Sequence, residues 1–188
     1  MSRRRPARPQ RRPVFLGCEG ESERGYGRLL GRLREELRSD LHLAATLLRP
    51  GGGDPLALVE LACQKIAHDE SNRQIRYSIR AILLDSDTLG QDQQRDERMF
   101  RLAHKESLRL IWQEPYHEAL LLRHLDGCQT LRPQSSAAAL TELTRRWPDY
   151  TKGSSADQLL RRIGIQQIAT AASVEPELRD FLRDIGFL

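Results

Sequence analysis

Aromatic residues are scarce in this 188-residue chain, at 5% of the total, and that scarcity excludes an extended base-stacking platform for single-stranded nucleic acid. Long apolar runs are absent as well: no stretch approaches the roughly 20 residues that a membrane span needs. Cysteine is confined to Cys18, Cys63 and Cys128, which are odd in number, widely spaced and without a CxxC pair. Neither a zinc ribbon nor a disulfide framework is supported by that pattern. Cys18 directly precedes Glu19, so it reads either as a catalytic thiol or, more commonly for cysteine, as a buried residue closing a strand. Residues 1–13 lack the apolar segment of a secretory signal, and Pro6, Pro9 and Pro13 break any helical period there. They read as a flexible basic tail on a cytoplasmic protein.

Acidic residues are missing from that tail too, which changes the meaning of the net charge. Residues 1–13 hold Arg3, Arg4, Arg5, Arg8, Arg11 and Arg12. Removing those six charges from the formal +4 leaves −2 for residues 14–188, so the globular part is not basic overall. Six guanidiniums suit phosphate contacts, because each neutralised phosphate releases counterions; a solubilising terminus is the other reading.

What remains is enough for one folded domain with an appendage, since 39% of the chain is hydrophobic. Pro13 to Cys18 reads as a short buried strand. Glu21 to Arg38 reads as a helix, with Tyr26, Leu29, Leu30, Leu33 and Leu37 spaced by three and four on one face. Leu41 to Leu48 reads as a strand. Pro50 to Gly53 reads as a flexible connection, and Asp54-Pro55 as an N-cap with a first-turn proline. A helix to about Asp69 follows, then a strand over Ser78 to Leu84, a helix over Gln91 to Leu108 and a brief strand over Leu110 to Trp112. Helices are expected over Pro115–Leu125, Ser136–Trp147 and Ala156–Ile163, with short pieces to Leu188. Strands alternating with helices predict an α/β fold with a mostly parallel sheet. The division is a tail at 1–13, a core at 14–125 and a helical extension at 126–188 packed on it.

Acidic residues recur where apolar runs stop. Glu19-Gly20 follows Val14-Phe15-Leu16, and Asp85-Ser86-Asp87 follows Ile82-Leu83-Leu84. Strand ends of that kind line the ligand-binding edge of a parallel sheet. Residues i and i+2 of an extended chain point the same way, so Asp85 and Asp87 can face one ion together. Brought beside Glu19, they make an all-oxygen pocket for magnesium, with manganese as the alternative. Without a cation, such carboxylates repel and raise one another's pKa. The plainer reading is an N-cap and a turn on a surface loop. Glu23, four residues beyond Glu19, either reaches the same pocket and a second ion or favours the helix dipole. Ser22 reads as a helix cap.

These motifs carry a resemblance. Phe15 to Tyr26, with Glu19-Gly20-Glu21-Ser22-Glu23 and then Tyr26, resembles the E-G-x-[T/S]-E-x-x-Y opening of RloB/AbiLii-like proteins. Asp85-Ser86-Asp87 resembles their D-x-D, and both look like the metal-binding signature of the Toprim fold. Pro115 to His124 is similar to a third block, S-N-P-x-F-E-x-W-L-L-x-H, with Gln113-Glu114 in place of Ser-Asn, His117 in place of Phe and Leu120 in place of Trp. Tyr150-Thr151-Lys152 is similar to a downstream Y-x-K. The matches occur in order from Phe15 to Lys152; none extends beyond.

The resemblance implies a Toprim-like core, a mostly parallel four-stranded sheet flanked by helices, that supports magnesium-dependent phosphodiester chemistry. It also implies a place in bacterial antiphage defence, with nucleic acid as substrate and an ATP-hydrolysing protein as partner. Metal ligands by this analogy are Glu19, Asp85 and Asp87, with Glu23 and Glu118 secondary. Lys152 is expected to offset transition-state charge, and His124 to shuttle a proton or to pack in its helix. Glu118 and His124 are six apart and lie on different faces of a regular helix, so one of the two is structural; Glu118 is the one favoured for the site. The expectation is a metal-dependent nuclease acting on DNA or RNA. A hydrolase of small phosphate esters and a non-enzymatic nucleic-acid- or partner-binding subunit are the rivals.

Overall fold

A computed structural model describes residues 11–37, 40–49 and 53–188. It contains β1 (Arg12–Cys18), α1 (Glu21–Glu36), β2 (Leu41–Leu47), α2 (Pro55–Asn72), β3 (Ile79–Asp85), α3 (Gln93–Lys105) and β4 (Arg109–Gln113). The helical remainder is α4 (His117–Arg123), α5 (Ser136–Arg146), α6 (Ala156–Leu160), α7 (Ile165–Ala172) and α8 (Pro176–Asp184). The strands form one sheet in the order β2-β1-β3-β4, and every pairing is parallel. The expected α/β class and its four-stranded sheet are therefore present, with no antiparallel strand among the described residues.

Alternation along the strands divides the core in two. Val14, Leu16, Cys18, Ala81, Leu83 and Ile111 face a cluster that includes Tyr26, Leu29 and Leu30 of α1. Phe15, Ile82 and Leu84 face the other way, onto Val59, Ala62 and Ile66 of α2 and Met99 of α3. Helices thus cover both faces, which is why β1 and β3 read as unbroken apolar runs. Leu143, Trp147, Leu159, Ile168 and Phe181 join the α1 side of the core. The C-terminal helices accordingly share one core with the sheet.

Strand order fixes where a ligand can sit. The chain leaves β1 for β2 on one side, then returns past β1 to β3 on the other. Order reverses between β1 and β3, and α/β sheets open a crevice beyond the carboxyl ends of such a pair. Glu19 follows β1 and Asp85 ends β3, so both flank that crevice.

Local signals act as expected at several ends. The Asp54 carboxylate accepts from the Leu56 backbone N–H at 3.3 Å and caps α2. Asp92 and Ser135 cap α3 and α5 in the same way. Asp54→Ala should lower stability by about 1 kcal/mol, seen as a melting temperature reduced by about 2–4 °C.

The tail boundary needs correction. Arg12 and Pro13 belong to β1, in register with Leu41 and His42, and Arg12 N–H donates to the Asp40 carbonyl at 2.8 Å. Parallel pairing recruits Arg12 and Pro13 because β2 is long enough to accept them. Arg11 is described and pairs with Glu35 at 3.0 Å; residues 1–10 of the expected tail lie outside the described residues, as do Pro50, Gly51 and Gly52 of the expected flexible connection. Among the described residues no helix is long and apolar enough to cross a membrane.

Candidate metal centre

The crevice is a depression of about 280 Å³ whose lining includes Glu19, Asp85, Asp87, Thr88 and Tyr116. Asp85 points to the α1 side of the sheet, as Leu83 does two residues earlier. Its Oδ1 is buried and has no hydrogen-bond partner. Burial raises its pKa from the ordinary 3.8 to about 8, with further increments from Glu23, Glu19, Asp87 and Glu118 in that order. Four carboxylates, from just after β1, from α1, from just after β3 and from α4, therefore act on Asp85. Burial also raises Glu19; a hydrogen bond from the Gly53 backbone N–H at 2.9 Å opposes the shift, and Glu23 and Asp87 add to it.

Glu23 closes the helix start and acts electrostatically on Asp85. Its Oε2 accepts from the Gly20 N–H at 3.0 Å, closing the first turn of α1, while its charge is the foremost of those raising Asp85. The residue is buried, at 9% exposure, and the cap fixes its carboxylate against the first turn of α1.

Glu118 enters from α4, where it is buried and its Oε1 has no hydrogen-bond donor. Lys152 Nζ lies 3.7 Å from that oxygen while remaining largely exposed. Lys152 is far from the sheet in sequence, and three contacts bring its loop in. Gly153 N–H donates to Ser22 Oγ at 2.9 Å, so Ser22 fastens this loop to α1. The Ser154 carbonyl lies against Gly25, where a Cβ would overlap it. Tyr150 is buried beside them; burial, then Glu118, push its phenol up, and Ser22 opposes the shift.

His124 is outside the centre. Its Nε2 meets the Tyr26 hydroxyl at 3.0 Å and its Nδ1 meets the Leu120 carbonyl at 2.9 Å. Full burial lowers its pKa to about 4. Nδ1 donates to that carbonyl and Nε2 meets the tyrosine hydroxyl, so the geometry makes it a packed histidine. The thiol reading of Cys18 fails on similar grounds: the side chain is fully buried, and burial and then Glu23 push its pKa up.

The sequence reading missed His117 and Gln113. Gln113 Nε2 and His117 Nδ1 are 2.5 Å apart, and the buried His117 Nε2 has no partner. Gln113 stands opposite Asp85 in the β3–β4 register. The signal was available: β4 ends at Gln113, one strand over from Asp85, so its side chain emerges at the same edge. A second omission, Arg123 against Glu175, has no local signal. These residues form a buried ion pair across 52 positions.

The donor set fits a hard cation. All five groups supply oxygen, two of them carry a buried oxygen without a hydrogen bond, and a cation would offset the mutual repulsion that otherwise leaves Asp85 holding a proton. As the side chains stand, no group of three among the described residues forms a ready-made cage. Magnesium does not require one, because it keeps several waters and uses one or two carboxylates. Fold and site together define an α/β protein with a partly buried carboxylate cluster at the switch point of a parallel sheet. Comparison with known protein families, curated proteins and solved structures gives no match.

Proposed function

We propose that this protein is a metal-dependent nuclease hydrolysing phosphodiesters in DNA or RNA. The observation that carries the reading is Asp85, a half-buried carboxylate whose buried Oδ1 has no partner and on which four other carboxylates act. A phosphate could not approach that cluster unaided, since anion would meet anion. Glu19, Asp85 and Asp87, with Glu23 beside them, would hold magnesium or manganese. The ion would supply Lewis-acid polarisation of the phosphate and a more acidic water.

The chain's own groups do the rest. Glu118 holds Lys152 at the rim, where its ammonium can meet the charge that grows on the phosphate oxygens. Buried Leu84 and Leu58 beside the crevice limit water around the cluster and so strengthen its electrostatics. The ordered resemblance from Phe15 to Lys152 supports the same chemistry. It suggests an RloB-like, Toprim-type protein of bacterial antiphage defence, working in the cytoplasm beside an ATP-hydrolysing partner.

The test is incubation of the purified protein with mixed DNA and RNA substrates in magnesium, manganese or EDTA. Cutting that requires the ion and names one substrate class is the expected result. Binding without cutting, by a folded protein in every metal, would overturn the nuclease in favour of a binding subunit. Turnover of small phosphate esters alone would overturn it in favour of a phosphatase.

A further inference from the structure

Three arginines repeat at every fourth position of α1: Arg24, Arg28 and Arg32. That spacing stacks them on one side of the helix over about 12 Å, at 1.5 Å per residue. Like charges four apart destabilise a helix by about 0.2–0.5 kcal/mol per pair, so the row works against α1 itself. Arg24 pairs with Glu21 at 2.5 Å, and Glu21 also meets Arg49 at 3.4 Å. Arg32 pairs with Asp157 of α6. Arg28 is exposed and has no ion pair or hydrogen bond among the described residues. Past the far end of α1 the row continues through Arg11 on Glu35 at 3.0 Å and Arg12 on Asp40 at 2.9 Å.

Four carboxylates thus stand among six arginines, but most of these pairs are largely in solvent. Exposed pairs contribute about 0–1 kcal/mol, so a phosphate can displace a carboxylate at little cost. Beside the row runs a groove of about 260 Å³, whose lining includes Arg28, Arg32, His42, Leu43, Ser155 and Asp157. Arg24 and Arg28 lie near enough to the end of β1 to act electrostatically on Cys18, the residue next to Glu19. One end of the row therefore lies toward the end of β1 that carries Glu19.

We propose that the arginine face of α1, with its groove against β2 and the start of α6, is the bed for the phosphodiester backbone of a nucleic-acid strand. A narrow row of cations leading to a crevice fits a linear polyanion better than a broad acidic surface. The proposal deepens the nuclease reading by naming the surface that delivers the strand.

Anisotropy of a short labelled single strand in EDTA tests it, because binding is then read without cleavage. Affinity is followed between about 50 and 200 mM salt. Arg28→Gln with Arg32→Gln should reduce the slope of log affinity against log salt by about 1.4, at about 0.7 per single-strand phosphate. The matched pair Arg98→Gln with Arg101→Gln, on exposed positions of α3, should leave the slope unchanged. Thermal melts establish that both variants are folded. An unchanged slope in the first variant, or an equal fall in both, overturns the proposal. So does loss of binding to phosphatidylserine vesicles with oligonucleotide binding untouched. A protein that cuts nothing yet shows the selective slope change refutes the nuclease and keeps the bed; one that cuts with an unchanged slope does the reverse.

Discussion

Asp85→Asn should abolish metal-dependent cutting, by at least about 10²–10³-fold, and should make the metal-free protein more stable at alkaline pH. Asparagine keeps the shape of the side chain and removes the charge that the cation answers. The stability effect follows from linkage. Asp85 has a folded pKa of about 8, above the roughly 3.9 of an unfolded aspartate. Between those values the folded chain holds a proton that the unfolded chain has lost, so stability falls as pH rises from about 4 to about 8. Above that window the loss is complete. The substituted amide has no proton to lose, and the gap between variant and wild type should therefore be greatest at pH 8 and beyond. Its ceiling is on the order of several kcal/mol. Denaturant melts at pH 5 and pH 8.5 check it. Equal pH dependence in both proteins would show that Asp85 is not the strained group.

Gly25→Ala should cost about two orders of magnitude in activity, the size of effect a misplacement of about 1 Å produces. On an open helix surface this substitution would stabilise by about 0.5–1 kcal/mol. Here the new methyl overlaps the Ser154 carbonyl, and backbone cannot swing aside as a side chain can. The loop from Tyr150 to Ser155 must lift, which separates Gly153 from Ser22 and Lys152 from Glu118. Overpacking of this kind costs about 1–3 kcal/mol, so the sign of the stability change reverses. Gly31 provides the contrast on the same helix. A Cβ there would meet Leu43 at 3.8 Å, an ordinary contact, and Gly31→Ala should raise the melting temperature. Melting curves and rates for both variants separate helix propensity from the loop contact.

Much of this architecture was legible because local chemistry and tertiary placement agree. Val14-Phe15-Leu16 and Ile82-Leu83-Leu84 are apolar on both faces, as strands between two helical layers must be. Asp54-Pro55 marked the start of α2. Carboxylates stand out in the sequence because they stop those strands, and a parallel sheet carries its strand ends to one edge. Strand order was not legible, and it is strand order that sets Glu19 and Asp85 across the switch point. Nor was the path of the Tyr150–Ser155 loop, which depends on the missing side chain of Gly25. Arg123 and Glu175 carry no periodicity that pairs them; only the packing of the C-terminal helices does. His124 was left between a proton shuttle and a packed helix residue, and its two engaged ring nitrogens agree with the packed alternative.

The most direct test of the carboxylate centre is a calorimetric titration of Mn²⁺ at neutral pH into wild type and Asp85→Asn, each in two buffers of different ionisation enthalpy. Saturable binding to wild type, with about one proton released per ion because Asp85 is largely protonated beforehand, and no saturable binding to the variant, is the predicted result. An isotherm that is the same in both proteins, or no binding to folded wild type, would contradict it.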